Sequence, residues 1–309
     1  MSVTLLGPQR RPTVQHAVAD LPPDALVATV TAGWQEREPE DAELTGLIGH
    51  PTVNLALHAR WQDVLERDRE YAQAEREHES ALTELRQLYL EQLDHALRAA
   101  YGVAQHKDPR PRLRERALAD AIAVVRLLDE QHEERIREAH TAFYGAWAPQ
   151  ERDAVAAHRE EVRHLLGSAS AVVLAGGHVG QLARVLHLFH VAPHLPPRVV
   201  AWSAGAMALT ERLVLFHDHA THGVAQTEVF DDGIGAVHGL VLLPHARRRL
   251  RVDDPVRMAV LARRFHPARC VVLDDGTRLD LGPGDALPGD ARIVDDTGAI
   301  TTLATEHAS

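Results

Sequence analysis

The sequence predicts an α/β fold: a mostly parallel sheet flanked by helices, interrupted by a large all-helical insertion. Three observations lead there. Short β-branched or apolar runs alternate with helical patterns near both ends of the chain. Residues 51–167 between them carry only helical periodicity. After that block, apolar runs end directly in glycines or small residues, as strands do where a parallel sheet turns into a helix.

The elements follow in chain order. Val3–Gly7 is a short apolar strand closed by Gly7-Pro8. Ala25–Thr31 is β-branched, follows Pro22-Pro23 and reads as a buried strand. Helical spacing then takes over, with Leu82, Leu85, Tyr89, Leu93 and Ala96 on one stripe. Leu118, Ile122, Val125, Asp129, His132 and Ile136 form a second stripe with two polar members. Gly102, Pro109 and Pro111 separate the two. Glu66–Ser80 is heavily charged and reads as an exposed helix face covering little core. A third helix runs from after Pro149 to about Leu166. Strands resume at Ala171–Ala175, Arg198–Trp202, Leu240–Leu243 and Cys270–Leu273. The tail, rich in Gly, Asp and Thr, reads as β-hairpins. Residues 1–50 are thus the first part of one α/β domain. Residues 51–167 are a helical hairpin or small bundle inserted into it, and 168–309 are its second part.

Composition narrows the function classes. The chain has 309 residues, 45% hydrophobic and 25% charged, the ordinary globular range. No apolar run is long enough for a membrane span, and Met1–Arg10 reads as a strand and turn rather than a signal peptide. With 33 basic against 44 acidic side chains the net charge is −11, which argues against a nucleic-acid-binding surface. Cys270 is the single cysteine, so no intramolecular disulfide or cysteine-based zinc site exists, and it reads as a core thiol. Lys107 is the sole lysine, a compositional bias toward arginine. A cytoplasmic protein is expected.

Val199-Val200-Ala201-Trp202-Ser203-Ala204-Gly205-Ala206 is the segment that points to chemistry. An apolar strand runs into a serine followed at once by small residues, the build of a nucleophile elbow. The tight turn projects the hydroxyl, and the next backbone N–H can donate to an oxyanion. The bland alternative is a helix start capped by Ser203. Gly176-Gly177 ends the preceding strand and can offer its amides to the same oxyanion. Asp218 and His245 follow downstream, giving the chain order Ser, Asp, His.

Ala175-Gly176-Gly177-His178-Val179-Gly180-Gln181-Leu182, Trp202-Ser203-Ala204-Gly205-Ala206 and Pro244-His245 together resemble the aspartyl dipeptidase/cyanophycinase family. These are serine peptidases on the class I glutamine amidotransferase-like, flavodoxin-like fold. The tail Leu273-Asp274-Asp275-Gly276-Thr277 resembles the family's last acidic strand turn. The likeness covers Ala169 to about Leu281 and, more loosely, Met1 to Gly49; the helical block lies outside it. It implies Ser203 as nucleophile, His245 as general base and Asp218 as the acid that orients it. It also implies that Gly176 or Gly177, with Ala204, holds the oxyanion. Glu228 and Asp232 stand as alternative acids, because the cyanophycinase branch takes its acid from elsewhere. The family's first glycine and its Asn-Thr are replaced here by Ala175, His178 and Val179, which alters the turn that recognises substrate. The arginine of the dipeptidase branch would fall near Val214, so specificity for an N-terminal aspartate has no support. A glutamine amidotransferase proper needs a cysteine where Ser203 stands.

The expected function is therefore serine-type hydrolysis of a small peptide or isopeptide, without cofactor or metal. His178, Arg247 and Arg248 are the expected substrate-binding residues. Arg247, Arg248, Arg249 and Arg251 can bind a carboxylate in bidentate fashion, or form a solvated helix start facing Asp253-Asp254 and Asp274-Asp275. Two alternatives stand beside this. His217, Asp218, His219 and His222 have spacing that suits a transition metal, hence a metal-dependent hydrolase. A non-catalytic scaffold working through the helical insertion is the other. His132 and His140 read as a solvated face, and the insertion as a lid, a docking surface or a homodimer interface.

Overall fold

The computed structural model describes residues 1–9, 12–107, 110–216 and 226–306. In chain order it contains β1 (Ser2–Leu6), α1 (Val14–Val18), β2 (Val27–Val30), α2 (Ala42–Ile48), β3 (Thr52–Asn54) and α3 (Leu57–Arg67). Two long helices follow, α4 (Arg69–Gln105) and α5 (Pro111–Trp147), then α6 (Asp153–Ser168). Next come β4 (Ala171–Leu174), α7 (Val179–Leu188), β5 (Arg198–Trp202), α8 (Ala204–Leu209) and β6 (Arg212–Phe216). The chain continues through β7 (Thr227–Asp232), β8 (Leu240–Pro244), α9 (Ala246–Arg249) and α10 (Pro255–Phe265). It ends in β9 (Arg269–Leu273), β10 (Arg278–Asp280), β11 (Arg292–Val294), β12 (Ile300–Thr302) and a last helical turn.

The main sheet has the order β10-β1-β5-β4-β2-β3. All its pairs are parallel except β1 with β10. Its central strands are apolar on both faces because helices cover both, so Val-Ala-Thr-Val of β2 and Ala-Val-Val-Leu of β4 are wholly buried. The sheet reaches beyond residue 50, since β3 pairs with β2, and the helical run begins at Leu57. Leu240–Leu243 and Cys270–Leu273 do not join this sheet. They form a second one, ordered β12-β11-β9-β8, in which only β8 and β9 are parallel. The tail is likewise only partly hairpins: β11 and β12 pair with each other, whereas β10 closes the edge of the main sheet. Helix α8 packs against β5 and β8, bringing the ends of the two sheets together.

Helices α4 and α5 each span 37 residues, about 55 Å at 1.5 Å per residue. Their shared stripe buries Tyr89, Leu93, Leu97, Leu118, Ile122 and Val125, joined by Val260 of α10. The two polar members of the α5 stripe are buried with it: Asp129 is 2% exposed and His132 1%. His132 stacks on Tyr89 at 3.9 Å, and burial pushes its imidazole down to about 4. Its expected solvated face is therefore overturned: the neutral ring packs as an aromatic. The charged stretch 66–80 also differs from expectation. Tyr71, Ala72, Ala74 and Glu75 are buried there, Tyr71 against Phe143 of α5 and Glu75 against Trp61 of α3 and Arg184 of α7, and only the remaining face is wet. Cys270 is buried in the core, and burial pushes its thiol up to about 12. Among the described residues no helix is long and apolar enough to cross a membrane.

Candidate active site

Ser203 sits where β5 ends and α8 begins, with φ 52° and ψ −123°. An L-residue adopts that conformation only at a cost of about 1–3 kcal/mol, when its surroundings force it. Close contacts around the turn supply that force. A Cβ on Gly205 would lie 2.4 Å from the Leu174 carbonyl oxygen, so α8 can lie against the end of β4 only with glycine there. A Cβ on Gly176 would come within 2.9 Å of the Ser203 Cβ and 3.3 Å of its Oγ. Small residues around the serine are thus a packing requirement of the turn.

Gly177 has φ +131°, and a Cβ there would meet the Gly33 carbonyl oxygen at 2.2 Å. His178 N–H donates to that same carbonyl at 2.7 Å, and Ala175 N–H donates to Val30 at 2.9 Å. Between them, the Gly176 and Gly177 amides meet no acceptor among the described residues. Ala204, first in its helix, has no intrahelical partner for its N–H. Unused donors therefore flank Ser203 on both sides. The His178 ring accepts the Gln181 N–H through Nδ1 at 3.0 Å, capping α7 and leaving Nε2 as the donor of the neutral ring.

His245 follows β8 directly, with φ 57° and its N–H donating to Leu273 at 3.1 Å. It lines a cavity of about 480 Å³ together with Ser203, Gly176, Gly177, Trp202 and Trp34. Ser203 Oγ forms no hydrogen bond among the described residues, so it is not bonded to His245 in this state. Asp218 lies outside the described residues, as does the whole stretch from His217 to His222. The alternative acids are engaged elsewhere. Glu228 takes a two-pronged bond from Arg86 of α4, at 2.8 and 2.5 Å. Asp232 lies beside Arg137 at 3.7 Å, and burial together with neighbouring Asp231 pushes its carboxyl up. Neither lines the cavity of His245. Among the described residues no group of His, Cys, Asp and Glu is placed to hold a metal ion.

Ser203, Ala204, Gly177 and His178 also line a second cavity of about 560 Å³, whose far wall is the helical hairpin. Glu75, His78, Glu79, Leu82 and Arg86 come from α4, and Ile136, His140, Phe143 and Tyr144 from α5. His140 is no solvated residue either. Its Nε2 lies 3.1 Å from Asp231 Oδ1 and its Nδ1 3.0 Å from His78 Nε2. Burial pushes His140 down, but the Asp231 bond and charge outweigh it and hold the imidazole above its ordinary value. Burial and the neighbouring His140 push His78 down to about 4. In its protonated form His140 would donate both ways, to Asp231 and to a neutral His78.

The structure does not bring the two expected arginines to either cavity. Arg247 and Arg248 are exposed, Arg247 lies 3.4 Å from Asp274, and neither lines either cavity. Arg249 does line the hairpin cavity. It is half-buried, has no acidic partner among the described residues, and burial holds its guanidinium below the usual value.

One prediction arises from the serine backbone alone. Ser203→Gly is expected to be more stable than Ser203→Ala by about 1 kcal/mol, because glycine tolerates φ 52° and alanine does not. Urea unfolding of the two variants measures it; equal stabilities would mean that the turn is unstrained.

No protein-family model matches the chain, and no curated protein is similar to it at a significant level. Among solved structures it is similar to the crystal structure of a peptidase from an acI-B1 Actinobacterium. Identity is 11%, over 96% of this chain and 87% of that one, with a TM-score of 0.42. A likeness so loose transfers neither fold family nor activity. The structure defines the class: an α/β protein with a strained serine at a strand end and a helical hairpin walling one of the two cavities that this serine lines.

Proposed function

We propose that the chain is a serine hydrolase that cleaves small peptides or isopeptides through an acyl-enzyme. The observation that carries the reading is Ser203, held at positive φ on a strand end and lining one cavity with His245. The motif resemblance to the aspartyl dipeptidase/cyanophycinase family supports it. In this mechanism Ser203 Oγ attacks the substrate carbonyl carbon while His245 takes the hydroxyl proton. The amides of Gly177 and Ala204, with Gly176 beside them, donate to the oxyanion as the carbonyl oxygen gains charge. The C–N bond then breaks, and the amine leaves with the proton from His245. Water, deprotonated by His245, cleaves the ester and frees Ser203. Asp218 is the acid we assign to orient His245. His178 and Arg249 face the substrate, and Arg249 suits an anionic group there because among the described residues no acid balances its charge.

Reaction of the folded protein with a fluorophosphonate tests this. Mass spectrometry is expected to place one adduct, on Ser203, and none in Ser203→Ala. Absence of any adduct in folded protein would overturn the serine mechanism. It would favour a non-catalytic scaffold.

A further inference from the structure

Two buried polar atoms in the hairpin cavity wall have no partner. Glu75 of α4 is 6% exposed and Gln181 of α7 is 4% exposed, and both side chains line the cavity that also holds Ser203. Glu75 Oε1 accepts the Trp61 indole N–H at 2.8 Å, whereas Oε2 meets nothing. Gln181 Oε1 accepts from Arg184 Nη1 at 3.1 Å, whereas Nε2 meets nothing. The same Arg184 lies 3.8 Å from Glu75 Oε1 and donates through Nε to Glu79 at 3.0 Å. Trp61 thus fixes Glu75, and Arg184 fixes Gln181, each by the other atom of its head group. The Trp61 N–H also settles which Glu75 oxygen is left over.

A buried polar atom without a partner is expensive, and native proteins leave few of them. One spare acceptor and one spare donor on a single cavity wall complement a group that both donates and accepts. We propose that Glu75 and Gln181 form a subsite for an uncharged amide of the substrate, distinct from the bond that is cleaved. The amide N–H donates to Glu75 Oε2, and its carbonyl accepts from Gln181 Nε2. Charge decides between this and an ionic ligand. An ammonium or a carboxylate entering a place closed to water loses far more hydration than an amide does. Arg184 already faces the carboxylates of Glu75 and Glu79, so neither an added cation nor an added anion finds a free counter-charge at the pair. The inference rests on the hydrolase reading for its context, and it makes the hairpin the part of the protein that selects a substrate with a second amide.

The test is a titration of full-length Ser203→Ala, carrying 15N in its glutamine side-chain amides, with N-acetyltriglycine amide. This probe is uncharged and has no side chains. Binding is read at the Gln181 resonance, assigned by its loss in Gln181→Glu. A saturable shift is expected, with affinity about tenfold weaker in Glu75→Gln, the loss of about one hydrogen bond. That substitution keeps the Trp61 contact and exchanges the free acceptor for a donor, so the fold survives. Three outcomes overturn the proposal. The probe leaves the resonance unmoved, as a trapped water on the pair would make it. Glycinamide, with its ammonium, binds in its place. Or Glu75→Gln binds equally well. None of these depends on Ser203 being a nucleophile, which the fluorophosphonate adduct reports separately.

Discussion

His245→Asn is expected to slow phosphonylation of Ser203 by a fluorophosphonate, in which fluoride leaves, by about 10⁴-fold while leaving the fold intact. Asparagine is the informative substitution because His245 has φ 57°, and asparagine accepts left-handed backbone where alanine resists it. Backbone strain therefore does not enter the comparison, and the rate loss reports the missing imidazole. The size follows from the chemistry. A serine hydroxyl is a weak nucleophile until a base takes its proton as it attacks, and no other described histidine lines the cavity that Ser203 and Gly176 share with His245. The pH profile carries a second signature. Labelling of the parent protein is expected to rise through a single titration as the imidazole loses its proton, and His245→Asn is expected to lose that step. A variant that still labels within tenfold of the parent would remove His245 from the mechanism, leaving Ser203 activated by its donors alone.

Ser203 was legible because the requirement is local. A strand that turns into a helix within two residues needs small neighbours, and Ala204-Gly205-Ala206 supplies them in the sequence itself. The Gly177 contact with Gly33 was only half legible. The glycine pair shows, but its partner strand lies more than a hundred residues earlier, and pairing of β2 with β4 is not written in either segment. The same limit explains the second sheet, since β8 and β9 are apolar runs like any other until their neighbours are known. That Arg249, rather than Arg247 or Arg248, lines a cavity is not legible because helix α9 is a single turn. One residue rotates a helical side chain by about 100°, and nothing local fixes which face looks inward. The burial of one face of Glu66–Ser80 is illegible for a related reason. Its partners Trp61, Phe143 and Arg184 come from α3, α5 and α7, so an outwardly charged segment is buried on one face by tertiary contacts.

The remaining prediction concerns what holds the hairpin on the site. Asp129→Ala is expected to destabilise the protein by about 3–5 kcal/mol, measured by urea or guanidinium unfolding. Arg264 of α10 is 1% exposed and Asp129 of α5 is 4% exposed at the side chain. The guanidinium donates to Asp129 at 2.7 and 2.6 Å, to Tyr89 OH of α4 at 2.9 Å and to the Thr227 carbonyl of β7 at 2.7 Å. Tyr89 in turn donates to Asp129 at 2.7 Å and accepts the Val229 N–H at 3.2 Å. Both hairpin helices, α10 and β7 therefore meet on one buried ion pair. Taking the carboxylate away leaves a guanidinium without a counter-charge where water cannot reach it, and that uncompensated charge, more than any lost attraction, sets the size of the effect. Two controls separate the terms. Asp129→Asn keeps an acceptor and is expected to cost less than the alanine. Asp129→Leu combined with Arg264→Met removes both charges and is expected to recover most of the loss, because a buried ion pair contributes little against an apolar pair of similar volume. If the double variant is as unstable as Asp129→Ala, packing rather than charge governs the junction. The hairpin supplies the far wall of the Ser203 cavity, so Asp129→Ala is also expected to weaken peptide binding there at temperatures where the sheet is still folded.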